Sequence, residues 1–144
     1  MADVRSKAER VFTNYLCYKV DPLWRRLPKD ERELGGKEFR EAVHGAMGQV
    51  AIRAFLTTGF REDIDFFLWV ISRDPEPIQE LTVNVYHTGL GKYLHMTTSY
   101  FAMMRESPYV KEHLHAPAPE PGPCKYLVVY PFIKSREWYL MSFD

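Results

Sequence analysis

The chain has 144 residues, 46% of them hydrophobic and 15% aromatic, so it can bury a core without staples and does not have the composition of a disordered segment. Nineteen basic and nineteen acidic residues cancel, with no block of five or more like charges, which removes the electrostatic case for nucleic acid or an anionic membrane. The two cysteines, Cys17 and Cys124, lie far apart with no CxxC or other metal spacing, and the start MADVRSKAER has no apolar signal core. No apolar run approaches the ~18 residues of a membrane helix. The expectation is a soluble, cytoplasmic protein with reduced thiols.

In chain order, residues 11–20 (VFTNYLCYKV) are aromatic and β-branched without Gly or Pro, which predicts a strand that Asp21-Pro22 ends. A short helical turn is expected before the Gly35-Gly36 pair. Phe39, Val43, Met47 and Val50 then form one apolar stripe at helical spacing across residues 37–50. Residues 50–60 read as a strand with Ile52, Ala54 and Leu56 on one face and Arg53 on the other, followed by a turn at REDID. The nearly continuous apolar run 64–73 (IDFFLWVISR) predicts a central strand. Asp74 is the expected N-cap, and Pro75 the first residue, of a helix with Ile78, Leu81, Val85 and Tyr86 on its apolar face, stopped by Gly89 or Gly91. Residues 92–104 (KYLHMTTSYFAMM) form the last strand of the unit.

Strand, helix, strand, strand, helix, strand is the split βαβ, or ferredoxin-like, order: an α+β fold with an antiparallel sheet and two helices on one face. Its second sheet face lacks cover, which predicts burial against another copy or a second domain, as in a dimeric α/β-barrel. The expected division is a ferredoxin-like domain over 1–105, a Pro-rich linker over 106–124, and over 125–144 the first strand (KYLVVYPF) and motif of an incomplete second ferredoxin-like domain.

The tail holds the most distinctive chemistry. Tyr130 precedes Pro131, Lys134 follows four positions after Tyr130, and Trp138 and Tyr139 are adjacent bulky aromatics. A lysine among aromatics can bind an acidic group beside flat apolar walls, which would suit a planar ligand with carboxylates. The same residues would equally serve as an amphipathic strand with a snorkelling lysine. None of the five histidines, His44, His87, His95, His113 and His115, makes a metal-ligand spacing, and the chain has no GxGxxG, Walker or nucleophile-elbow pattern.

YPFIKSREWYLM is similar to the linker-and-strand motif of the chlorite dismutase superfamily, which includes coproheme decarboxylases, and ESPYVKEHL, TGLGKYL with TTSYF, and REDIDFFLWVIS resemble upstream segments of that family. The resemblance implies subunits of two ferredoxin-like domains assembled into oligomers, with heme or coproheme in the second domain on a histidine well beyond the WY pair. It implies a propionate contact for Lys134, cofactor walls for Trp138 and Tyr139, and for Tyr130 a place beside the reactive propionate with a part in radical chemistry. Tyr130 and Tyr139 favour the coproheme decarboxylase branch over chlorite degradation. His113 stands about where the family places an arginine that contacts a propionate, a departure from the pattern. The iron ligand is expected from a partner chain or a further domain, since no residue here matches it.

Two other readings stay open. One is a non-catalytic ferredoxin-like assembly subunit that oligomerises through its open sheet face and adds its last strand to a neighbouring edge. The other is a fragment without independent activity, because WYLMSFD stops where a helix could begin, with Ser142 or Asp144 as its N-cap.

Overall fold

A computed structural model describes residues 10–104 and 126–140. Strands β1 (Val11–Val20), β2 (Ala51–Leu56), β3 (Phe66–Ser72) and β4 (Leu94–Met104) form one antiparallel sheet in the order β2-β3-β1-β4. Helices α1 (Lys29–Ala46) and α2 (Glu76–Tyr86) connect β1 to β2 and β3 to β4. This is the α+β, ferredoxin-like arrangement that the alternation of patterns predicts.

One face of the sheet carries the main core. Leu16 and Tyr18 of β1 and Leu68 and Val70 of β3 meet Ile78, Leu81 and Val85 of α2, with Phe39, Val43 and Ala46 of α1 packed alongside. Both helices therefore cover the same face, and burying a side chain of this size contributes about 1.5–3 kcal/mol. The Tyr18 ring stacks on Phe66 at 5.3 Å and meets the edge of Tyr86 at 6.4 Å. Its buried hydroxyl has no hydrogen-bond partner among the described residues, and burial pushes its pKa well above the ordinary phenol value. Met47 does not join the helical stripe. Helix α1 ends at Ala46, and Met47 is left exposed while Ala46 and Val50 pack inward.

The opposite face carries a row of rings. Phe55 stacks on Phe67 at 5.1 Å, Phe67 approaches Tyr15 at 6.5 Å, and Tyr15 stacks on Trp69 at 5.9 Å. Trp69 Nε1 donates to Thr13 Oγ1 at 2.9 Å. The expectation of no cover within the chain needs correction, because Leu127 packs against the cluster of Cys17, Ile64 and Phe67 on this face. Burial pushes the Cys17 thiol up, away from the thiolate form.

The turn before β3 is fastened to β1 by Asp65, which is buried. Its Oδ2 accepts from the Val20 N–H at 2.8 Å, its Oδ1 lies 3.2 Å from Lys19 Nζ, and its own N–H donates to the Tyr18 carbonyl at 2.8 Å. Its carbonyl accepts from the N–H groups of Thr57 and Thr58. Gly59, at φ +88°, supplies the left-handed backbone that this tight return requires.

Three further sequence expectations change. Gly35 and Gly36 do not precede the helix but lie inside it, since α1 starts at Lys29. The reason for Gly35 is close approach. A Cβ there would sit 2.8 Å from Leu90 N and 3.0 Å from Gly89 C, and Gly89 returns the contact. Glu38 completes the seam by accepting from the Gly89 N–H at 2.6 Å. Asp74 is not the cap of α2, whose N-cap is Pro75. The Asp74 N–H donates instead to Ser72 Oγ at 3.3 Å. Residues 126–135 belong to no strand, and a five-residue helix α3 (Arg136–Leu140) follows them. The edges β2 and β4 do not pair with this segment, and β-propensity without a ladder partner makes no strand. The expected linker lies outside the described residues.

Two predictions follow from this packing. Asp65→Ala is expected to cost about 2–3 kcal/mol, because it leaves the Val20 N–H without its acceptor and takes the carboxylate from the Lys19 ammonium, which keeps only the Glu62 carbonyl. Burial raises the Asp65 pKa, but the Val20 N–H and then Lys19 outweigh it and hold the carboxyl below its ordinary value. Its stabilisation is therefore full above the unfolded value of about 3.9 and is lost as pH falls through the lower folded value. Urea melts at pH 7 and pH 3 should show a wild-type advantage that shrinks at the acid end, and an equal gap at both would refute this role. The second prediction contrasts two glycines of α1. Gly35→Ala should destabilise through the clash at Leu90 and Gly89, whereas a Cβ at Gly45 meets nothing within 4 Å. Gly45→Ala should thus stabilise the helix by about 0.5–1 kcal/mol, measured as opposite shifts in Tm.

Candidate functional site

The candidate site lies on residues 126–140. Leu127 anchors the segment to the aromatic sheet face, while Tyr126, Val128, Tyr130, Phe132 and Ile133 are exposed. Proline at position 131 fixes the backbone between two aromatics, and Tyr130 stacks on Phe132 with ring centroids 6.2 Å apart. Ser135 then starts α3. Its hydroxyl accepts from the Trp138 N–H at 3.4 Å and is the leading influence that holds the Glu137 carboxyl below its usual value.

That helical turn brings Lys134 and Trp138 together. Lys134 Nζ sits over the indole ring, 3.6 Å from its centroid, a cation–π contact worth about 0.5–1 kcal/mol at an exposed site. The pair is four positions apart, the spacing at which helical neighbours meet. Tyr130 is not held in the interior: it is 73% exposed. Tyr139 follows Trp138 on α3, but its side chain lies outside what is described, as does all of His113. Sequence reasoning passed over Ser135 and Phe132. Ser135 had a readable signal, a hydroxyl residue directly before a run free of Gly and Pro. Phe132 had none, since stacking across Pro131 depends on backbone angles.

The described histidines make no cluster with the tail. His95 Nε2 lies 3.4 Å from Asp21 Oδ2, where His95 and the Leu23 N–H together hold the Asp21 carboxyl low, the latter more strongly. His44 and His87 are exposed at the C-terminal ends of α1 and α2. Among the described residues no group of three or more His, Cys, Asp or Glu could hold a metal ion, and no helix is long and apolar enough to cross a membrane. The site offers one exposed cation resting on an indole face, with exposed aromatics immediately before it.

Comparison with known proteins places this chain. The Chlorite dismutase family model matches residues 32–144. A coproheme decarboxylase from Mycolicibacterium smegmatis is 32% identical over 95 residues, 65% of this chain and 41% of that protein. A chlorite dismutase from Ideonella dechloratans is 26% identical over 105 residues, 73% of this chain and 37% of its own length. The structure of the chlorite dismutase from Candidatus Nitrospira defluvii in complex with imidazole superposes with a TM-score of 0.66 at 19% identity, over 72% of this chain and 43% of that one, a likeness of fold. The chain thus spans about two-fifths of the length of the curated relatives it matches. With the family model covering most of its length and the sheet order matching the fold, the chain belongs to the chlorite dismutase family.

Proposed function

We propose that this chain forms part of a heme- or coproheme-dependent oxidoreductase, nearer in chemistry to coproheme decarboxylase than to chlorite degradation. The observation that carries this reading is the Lys134–Trp138 pair: an ammonium 3.6 Å over an indole ring, next to the exposed Tyr130, in a chain 32% identical to a coproheme decarboxylase. These residues fit the edge of a tetrapyrrole. Lys134 would balance the charge of a propionate, Trp138 would provide a flat apolar wall, and the Tyr130 phenol would donate a hydrogen bond to a carboxylate oxygen. Tyr139 and His113 are proposed as further contacts along the same edge.

In this reading the iron ligand comes from a partner chain or a further domain. When bound, the iron tetrapyrrole would supply the redox chemistry, and the protein would supply position and electrostatics. The chain's own contribution is then orientation. Lys134 fixes which edge of the ring meets the tail, and Tyr130 holds a proton beside the carboxylate to be lost. A second reading, a non-catalytic assembly subunit, is favoured by the exposed Val128, Tyr130, Phe132 and Ile133, which would suit a neighbouring surface rather than a small ligand.

Titration with hemin and with coproheme, followed in the Soret region, separates the two. A saturable band with this chain and its partner, weakened by about tenfold or less in Lys134→Ala, supports the cofactor reading. No band in any assembly, together with well-behaved oligomers, supports the assembly subunit. Tyr130→Phe should leave the fold intact and reduce decarboxylation in the complete complex. Unchanged activity there would make Tyr130 a packing residue.

A further inference from the structure

A second region of the molecule gathers basic side chains around an indole, at the start of α1. Trp24, Lys29, Arg32, Glu33 and Arg40 line an open concavity of about 400 Å³. Glu33 is already paired with Lys29 at 3.5 Å. The guanidinium groups of Arg32 and Arg40 have no ion pair or hydrogen bond among the described residues. The two arginines are eight positions apart and so share a helical face, about 12 Å apart along the axis. Arg40 closes part of that distance by reaching back one turn, since a Cβ on Gly36 would lie 3.6 Å from its Nη1. Long helical side chains lean towards the N-terminus in this way.

Gly36 is the telling residue. Gly35 beside it is demanded by the contact with Leu90 and Gly89, but a Cβ on Gly36 would meet only the end of Arg40 at ordinary contact distance. Glycine inside a helix is costly, and here the fold itself does not require it. Its missing side chain leaves room for the end of Arg40 to lie back along the helix. Trp24 forms the wall, with its indole held against Tyr93 at a centroid distance of 5.6 Å. Two unpaired planar cations and an indole packed on Tyr93 suit a ligand with a negative group and a flat ring.

We propose that this concavity binds a small planar anion, a ring bearing a carboxylate or phosphate, with Arg32 and Arg40 on the charged group and Trp24 against the ring. The test is calorimetric titration of the chain at low salt with 1-naphthyl phosphate, 1-naphthoate and inorganic phosphate. The two ring anions should bind at one saturable site, with inorganic phosphate at least about tenfold weaker. Whichever ring anion binds tighter tells carboxylate from phosphate. Arg32→Ala and Arg40→Ala, both on the helix surface, should each weaken binding by about tenfold. Gly36→Ala should raise Tm and also weaken binding, a combination that a purely structural glycine would not give. Undiminished binding in the Arg32→Ala, Arg40→Ala double variant, no saturable heat with any probe, or equal binding of inorganic phosphate and 1-naphthyl phosphate would overturn the assignment.

Discussion

The buried carboxylate of Asp65 is the constraint on which the sheet depends. A carboxylate away from water is tolerated only when its oxygens are satisfied, and here the Val20 N–H and Lys19 satisfy them. Both partners are at the end of β1, and the first register pair of β1 with β3, Tyr18 with Phe66, begins one residue beyond Asp65. The charge therefore pins the register where the two strands meet. A slip of one residue would exchange the two faces of β3. Leu68 and Val70 would leave the helices, and Phe67 and Trp69 would replace them.

From that register the two faces acquire different characters. The helix side is aliphatic, with Tyr18 at its centre, and it closes through the seam of Gly35, Gly89 and Glu38. The other side is aromatic, and it is where Leu127 docks the tail. The position of the candidate site follows from this. Leu127 lies only three residues before Tyr130 and seven before Lys134, so its packing against the cluster of Cys17, Ile64 and Phe67 tethers the site to this face. The turn carrying Asp65 also holds Ile64, which links the anchor of the fold to the anchor of the tail.

Much of this was legible in the sequence where the signal is local. The aromatic and β-branched run of residues 11–20, the apolar run of β3 and the spacing of Ile78, Leu81 and Val85 mark elements that the structure forms. The misreadings share a cause. Gly35-Gly36 looks like a helix breaker because the penalty for glycine is local, whereas the contact with Leu90 that favours Gly35 comes from residues over fifty positions away. Residues 125–132 look like a strand because their side chains suit one, but strand formation needs a neighbouring edge that sequence does not show. At the site, the motif singled out Lys134 and Trp138, yet only the helical turn capped by Ser135 explains why they touch.

The exposed state of the tail sets a limit on what it can contribute. At 4 Å, two unit charges gain about 1 kcal/mol in bulk water and about 4 kcal/mol at an effective dielectric of 20. Lys134 is exposed and rests on an indole that is itself 37% exposed, so a carboxylate meeting it there gains close to the smaller figure, less than a tenfold change in affinity. The larger figure needs a cover that removes water from both Lys134 and the carboxylate. The exposed Val128, Phe132 and Ile133 are the surface such a cover would bury, and each would add apolar stabilisation of its own. The cofactor reading and the assembly reading therefore meet at the same residues. Under the proposed function, a tetrapyrrole held firmly by this segment calls for a neighbouring surface over it, and the same surface is the proposed source of the iron ligand.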